Sequence, residues 1–254
     1  MPGLTRTLSL LTALFASSSI AAPRPDAVAR ALADPGRAAH RPADSRRHPG
    51  ELIRLSGVRE GHRVLDLIPG DGYWTRIFSK IVGPRGRVYA VWPQAYAKLA
   101  MGNVATLRQI SASPAYGNVV TQVQPTTELN APEPLDLIWT VQNYHDYADP
   151  FMGRPGPETL ARAAYRLLKP GGVFMVIDHA SAPGRGLADT DTLHRIDAQL
   201  VVRQAKAAGF VLAGQSGVLV NRADPLTIKV FDPRIRGRTS QFAYKFVKPS
   251  ARGR

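Results

Sequence analysis

The amino-acid sequence predicts one α/β domain: an open, mainly parallel sheet with helices on both faces. Three observations predict it. Short apolar runs alternate with segments of helical periodicity over residues 63–247, which is how a parallel sheet with crossover helices is encoded. A glycine-rich break, Pro69-Gly70-Asp71-Gly72, separates the first run from the first helix. The 254 residues are 44% hydrophobic, enough for one large core and too apolar for a disordered chain. There is no internal repeat and no sign of a second domain.

The N-terminus reads as an export signal. Arg6 supplies a positive start, residues 8–20 are apolar or small, and Ser19-Ile20-Ala21 offers a small-x-small cleavage site. The apolar stretch is shorter than the roughly 20 residues a spanning helix needs, and it is broken by serines. Residues 1–21 are therefore expected to be a signal peptide and the protein to be periplasmic or secreted, with no transmembrane helix once the signal is removed. Residues 22–49, rich in Pro, Arg, Ala and Asp, are expected to form an arm lying against the domain, with one short helix at 26–32. The domain spans 50–248, and 249–254 is a basic tail.

Within the domain, 63–68 is a strand. Trp74, Ile77, Phe78 and Ile81 then fall at i, i+3, i+4 and i+7, the apolar stripe of a helix that Gly83-Pro84 ends. Residues 87–92 are a second strand, so this first unit is a parallel pair with a right-handed crossover. A short helix follows at 95–102. Strands are predicted at 118–123 and 135–141, a helix at 158–168, a strand at 173–178 and a long helix at 191–208. The last two strands are 210–215 and 242–247, joined by a basic, loop-rich connection over 217–240.

Composition narrows the function. The chain has no cysteine, which excludes disulfides, thiolate zinc sites and a cysteine nucleophile. The formal charge of +14 favours anionic partners, yet net charge alone specifies no ligand. The C-terminal region carries Arg234, Arg236, Arg238, Lys245, Lys248, Arg252 and Arg254 among Phe231, Phe242, Tyr244 and Phe246. Alternation of the last three aromatics marks a core-facing strand, so nucleic-acid binding is not expected. No sequence feature reports an oligomeric state.

The stretch 64–72 is the most informative. A glycine turn between a strand and its helix lets a ligand approach the backbone and the helix N-terminus. The three-glycine dinucleotide pattern is not met, because Thr75 holds the third position. Asp66-Leu67-Ile68-Pro69-Gly70-Asp71-Gly72 instead resembles the first motif of class I S-adenosyl-L-methionine (SAM)-dependent methyltransferases, with Ile68 where the family has its first glycine. Arg47-His48-Pro49 and Pro69-Gly70-Asp71-Gly72-Tyr73-Trp74 resemble the exported "predicted methyltransferase" group of proteobacteria. Leu167-Leu168-Lys169-Pro170-Gly171-Gly172 is similar to the turn before the family's fifth strand, and Asn143-Tyr144-His145-Asp146 stands where its fourth motif stands.

The resemblance implies a Rossmann-like seven-stranded sheet in the order 3-2-1-4-5-7-6, with the last strand antiparallel and the ligand at the carboxyl ends of the strands. It also implies SAM as cofactor, held by Asp66, Pro69, Gly70, Gly72, Tyr73, Trp92 and Asn143. His145 and Asp146 would face a small or unidentified methyl acceptor as catalytic residues. The family's ribose-binding acid at the end of the second strand is absent; Trp92 occupies that position, and Gln94 offers a substitute acceptor.

His145-Asp146 and Asp178-His179 end neighbouring strands, and His194 and Asp197 lie one turn apart on the predicted helix. Three readings remain open for this rim: a general base on the acceptor, a divalent-metal site, or structural caps and ion pairs. No H-x-x-x-H spacing supports a metal, so none is expected. Two further functions compete with methyl transfer. One is an exported, non-catalytic binding protein on the same scaffold, suggested by Ile68, Trp92 and the cytosolic origin of SAM. The other is a metal-dependent hydrolase.

Overall fold

The computed structural model describes residues 26–250. The expected signal peptide and the end of the expected tail, including Arg252 and Arg254, lie outside the described residues. Seven strands form one sheet: β1 (Arg63–Leu67), β2 (Arg87–Pro93), β3 (Val119–Gln124), β4 (Leu135–Val141), β5 (Leu168–His179), β6 (Val211–Ser216) and β7 (Gln241–Val247). Their order is β3-β2-β1-β4-β5-β7-β6. Only β7 is reversed, pairing antiparallel with both β5 and β6. This is the order the resemblance implied.

The strands are apolar on both sides because both faces are covered. Neighbours along β1 divide between the faces: Val64 joins Val88, Leu137 and Met175 on one, and Leu65 joins Tyr89, Ile138 and Phe174 on the other. The first face is covered by α1 (Ala27–Leu32), α3 (Pro49–Ser56) and α4 (Tyr73–Val82), while α2 (Asp44–Arg47) is a single turn leading into α3. The stripe of α4 is buried as its spacing predicts; Trp74 and Phe78 pack against Trp139 of β4 at 4.9 and 5.2 Å between ring centroids. Each such side chain contributes about 1.5–3 kcal/mol by leaving water.

Between β2 and β3 the chain forms two helices, α5 (Gln94–Leu99) and α6 (Met101–Ala112), where one at 95–102 was expected. Only Val104, Leu107 and Ile110 of α6 are buried, and so narrow a stripe leaves little periodicity to read. The second face carries α7 (Pro157–Leu167) and α9 (Ala198–Ala207).

The long helix expected at 191–208 is two helices. The short α8 (Thr190–Leu193) stops because His194 turns into the left-handed region, φ 54°. Ile196 then bridges to Ala180, and the Asp197 carboxylate caps α9 by accepting from the Gln199 N–H at 2.8 Å. His194 and Asp197 therefore share no helix face. The turn expected at 169–172 is instead an irregularity inside β5: Leu168 pairs with Leu135, and Val173 with Leu137. At the C-terminal end Phe242 and Phe246 enter the second-face core and Tyr244 packs against it. Among the described residues no helix is long and apolar enough to cross a membrane.

Candidate functional site

The order of the sheet reverses between β1 and β4, and loops leaving the carboxyl ends of such neighbours diverge to open a crevice. Here the crevice holds a cavity of about 590 Å³, within the range of small-molecule sites, lined by the loops after β1, β2, β4 and β5. Leaving β1, Ile68 takes φ 53° and Gly70 φ 60°. The left-handed region suits glycine and strains a β-branched residue. Ile68, where the family pattern has glycine, thus makes the same turn at a backbone cost while its side chain stays buried in the core.

The expected cofactor residues divide by position. Asp66, Pro69, Gly70, Tyr73, Trp92 and Asn143 all line the cavity. A Cβ on Gly70 would meet nothing within 4 Å, so its backbone faces open space. Gly72 is not part of the lining. It ends the turn at φ 87°, and a Cβ there would come within 2.8 Å of Ile110 on α6, so its bareness serves helix packing. Trp92 has no exposed surface; Tyr96, half-buried, is the ring with free area at that end. Gln94 is exposed and lies off the cavity, so the polar groups near the end of β2 are Tyr96 and Asn103.

Asp66 is buried and accepts from the Thr75 hydroxyl at 2.6 Å. Burial pushes its carboxyl up to about 7, only partly offset by Thr75 and the charge of Arg47. Four buried polar atoms of residues in this lining, Arg47 Nε, Trp74 Nε1, Trp92 Nε1 and Asn143 Oδ1, have no partner. Buried polar groups are normally satisfied, so orphans beside a cavity mark where a ligand's polar groups would be received.

A denser polar cluster forms one wall. His145 is 2% exposed. Its Nδ1 lies 2.8 Å from Asp178 Oδ1, and its Nε2 lies 3.2 Å from Asp146 Oδ1 and 3.3 Å from His194 Nδ1. Burial acts to lower the affinity of the His145 ring for a proton, but the carboxylates of Asp178 and Asp146 outweigh it and hold its pKa well above the ordinary value. Asp178 is lowered in turn, the charge and hydrogen bonds of His145 overcoming its burial. Both ring nitrogens of His145 are thus engaged within the cluster. The general-base role expected of it does not follow from this geometry, whereas Asp146 stays on the cavity wall. His179 is different: burial drives it down to about 3, and its Nδ1 meets the Thr239 hydroxyl at 2.8 Å.

No protein-family model matches the chain. It is 36% identical over 128 residues to the ubiquinone/menaquinone biosynthesis C-methyltransferase UbiE of Saccharophagus degradans, covering 50% of this chain and 46% of that protein. To the UbiE of Ectopseudomonas mendocina it is 35% identical over 138 residues, 53% of this chain and 48% of that protein. A SAM-dependent methyltransferase from Aquifex aeolicus superposes with a TM-score of 0.58 at 19% identity, covering 86% of this chain and 96% of that one. The chain thus resembles C-methyltransferases in sequence over about half of its length and shares its fold with a SAM-dependent methyltransferase. It spans about half the length of the curated relatives it matches. The (4+2) cyclase SpnF shares the fold with a TM-score of 0.60 at 16% identity, over 81% of each chain; a shared fold does not fix the chemistry performed on it.

The N-terminal arm completes the site. Arg37 is fully buried and donates to the Leu32 carbonyl at 2.7 Å and to Asp44 at 2.6 Å. The Tyr73 hydroxyl also donates to Asp44, and His40 lies 3.1 Å from Asp71 in the glycine turn. Arg47 sits 4.6 Å from the Tyr73 ring centroid, with its buried Nε unpartnered. It borders the first cavity and a second, of about 560 Å³, that Arg46, Arg236 and Arg238 also line. Sequence reasoning missed Tyr96, Asn103, Gln142 and Arg47. Their positions depend on how α5, α6 and the arm fold back over the sheet edge, and the one available signal was the Arg47-His48-Pro49 resemblance.

Proposed function

We propose that the chain is a SAM-dependent methyltransferase acting on a small, anionic acceptor, and that residues 1–21 export it. Gly70 carries the reading: its backbone bends left-handed at the topological switch point and faces open space in the larger cavity. The relatives named C-methyltransferases support the reaction class.

The residues present fit SAM, which supplies an activated methyl group when bound. Pro69 and Gly70 would admit its methionine portion to the backbone, with Asp66 behind them. Tyr96, Leu99 and Phe151 offer an apolar wall for a heteroaromatic ring, and Asn143 Oδ1 is an unused acceptor. The arginine-lined cavity suits an acceptor bearing carboxylate or phosphate, because guanidinium groups bind such oxygens in pairs. Catalysis here rests on alignment: arm, aromatics and arginines hold the acceptor in line and keep water out. His145 and Asp146 order the wall beside the acceptor.

The test is calorimetric titration of the folded chain with SAM and with S-adenosylhomocysteine. Micromolar binding is expected, weakened by about 100-fold or more in Gly70→Arg, whose side chain would fill the cavity. If neither ligand binds, the cofactor reading fails and a non-catalytic binding protein on this scaffold takes its place. N-terminal sequencing of the expressed protein checks export: a mature start near Ala22 supports it, and retention of residues 1–21 removes it.

A further inference from the structure

We propose that His145, Asp146, Asp149 and His194 form a binding site for a first-row divalent metal ion, with Zn2+ favoured. The assignment does not depend on which cofactor or acceptor the neighbouring cavity takes.

The geometry comes first. One ligand atom from each of the four residues lies within 4.8 Å of all the others. The measured separations are 3.2 Å from His145 Nε2 to Asp146 Oδ1, 3.3 Å from His145 Nε2 to His194 Nδ1, and 3.9 Å from His194 Nδ1 to Asp146 Oδ1. A tetrahedron around zinc with bonds near 2.0–2.1 Å has edges of about 3.3–3.5 Å, so the three measured separations need only sub-ångström adjustment, and a pair at the 4.8 Å limit would need to close by about 1.4 Å. Two imidazoles with two carboxylates suit zinc, and two aspartates would neutralise a divalent ion.

Asp149 is an independent pointer. It is fully buried, and neither of its carboxylate oxygens has a hydrogen-bond partner. It precedes Pro150 at the start of a short helical turn, where an aspartate commonly caps, yet its side chain caps nothing. The nearby Thr190 hydroxyl donates to the Leu187 carbonyl instead. Among the described residues no arginine or lysine pairs with Asp146, Asp149 or Asp178. A buried carboxylate without donors is costly unless something positive meets it.

The surroundings are built as metal sites are. Asp178 accepts from His145 Nδ1 and from the His145 backbone N–H at 2.9 Å, which fixes the ring and aims Nε2 into the cluster. A carboxylate behind a ligating histidine is a recurrent feature of such sites. His194 is held by its left-handed backbone and by the Phe231 ring at 4.8 Å, and its partly exposed side chain on the cavity wall leaves an entry path.

The experiment uses the full chain freed of metal with a chelator and titrated with Zn2+. One equivalent should bind and raise the Tm, and Co2+ in its place should give the visible absorption of a four-coordinate nitrogen and oxygen site. Asp149→Asn and His194→Ala should each weaken Zn2+ on the order of 100-fold, and Asp178→Asn by about 10–100-fold. Circular dichroism confirms that each variant is folded. His194→Ala is the safer variant, because that side chain is partly exposed in a loop. Absence of stoichiometric binding by the wild-type chain overturns the proposal, as does equal affinity in folded Asp149→Asn and His194→Ala. SAM titration of the same samples reads the cofactor site separately.

Discussion

Two buried charged networks meet at adjacent residues and are built on opposite terms. Arg195 turns inward and donates to Asp224 through two bonds of 2.9 Å and to the carbonyls of Ala180 and Ile228. Asp224 also accepts from the Leu226 and Ser240 N–H groups, and neither residue leaves a buried polar atom without a partner. One residue earlier, His194 faces the cluster of His145, Asp146 and Asp149, where both Asp149 oxygens are orphaned. A satisfied buried pair ties the 217–240 connection to the sheet edge and has nothing left to offer a ligand. An unsatisfied one stores its binding capacity. The difference teaches that completeness of partners, more than burial or residue type, separates scaffold from site.

Three substitutions break or sharpen this contrast. The largest effect is expected from Arg195→Met, which leaves Asp224 charged, buried and unpaired and costs about 3–5 kcal/mol in chemical denaturation. A loss below about 1 kcal/mol would show that the knot is not structural.

Asp66 lies between the extremes, with one hydrogen-bonding side chain and a carboxyl raised to about 7. The folded state keeps this proton up to about pH 7, while the unfolded chain releases it near the ordinary carboxylate value. Between those values the folded state binds more protons, so its stability falls as pH rises through the window. Asp66→Asn has no such loss. Its stability should gain on the wild type from about pH 4 to pH 7 and then hold a margin on the order of 2–4 kcal/mol. A margin that does not change with pH would overturn this account.

The smallest effect is expected from Asp149→Asn in the presence of chelator. Removing a charge that has no partner should leave stability within about 1 kcal/mol of wild type or raise it. A loss like that of Arg195→Met would mean that Asp149 is held by interactions of its own.

Much of this was legible along the chain. The stripe of α4, the central apolar strands and the Pro69–Gly72 turn follow from spacing, because a helix or a doubly buried strand writes its environment into neighbouring residues. α6 escaped since three buried positions make a weak stripe, and the break at His194 escaped since no glycine or proline announces it. Of the site, Asp66, Pro69, Gly70, Tyr73 and Asn143 were legible from one motif and its counterpart after β4. Gly72 looked alike in sequence but faces α6.

What the sequence by itself determined is the alternation of elements, the place of the glycine turn and the family it resembles, all properties of contiguous residues. Tertiary structure alone decided that Arg37 and Asp44 clamp Tyr73, that Arg47 borders two cavities, and that His145, Asp149 and His194 converge while Asp197 turns away to cap a helix. The reason is physical: convergence depends on where loops from β4 and β5 return over the sheet edge, and a backbone turned at a single residue sends two adjacent side chains, His194 and Arg195, to opposite fates.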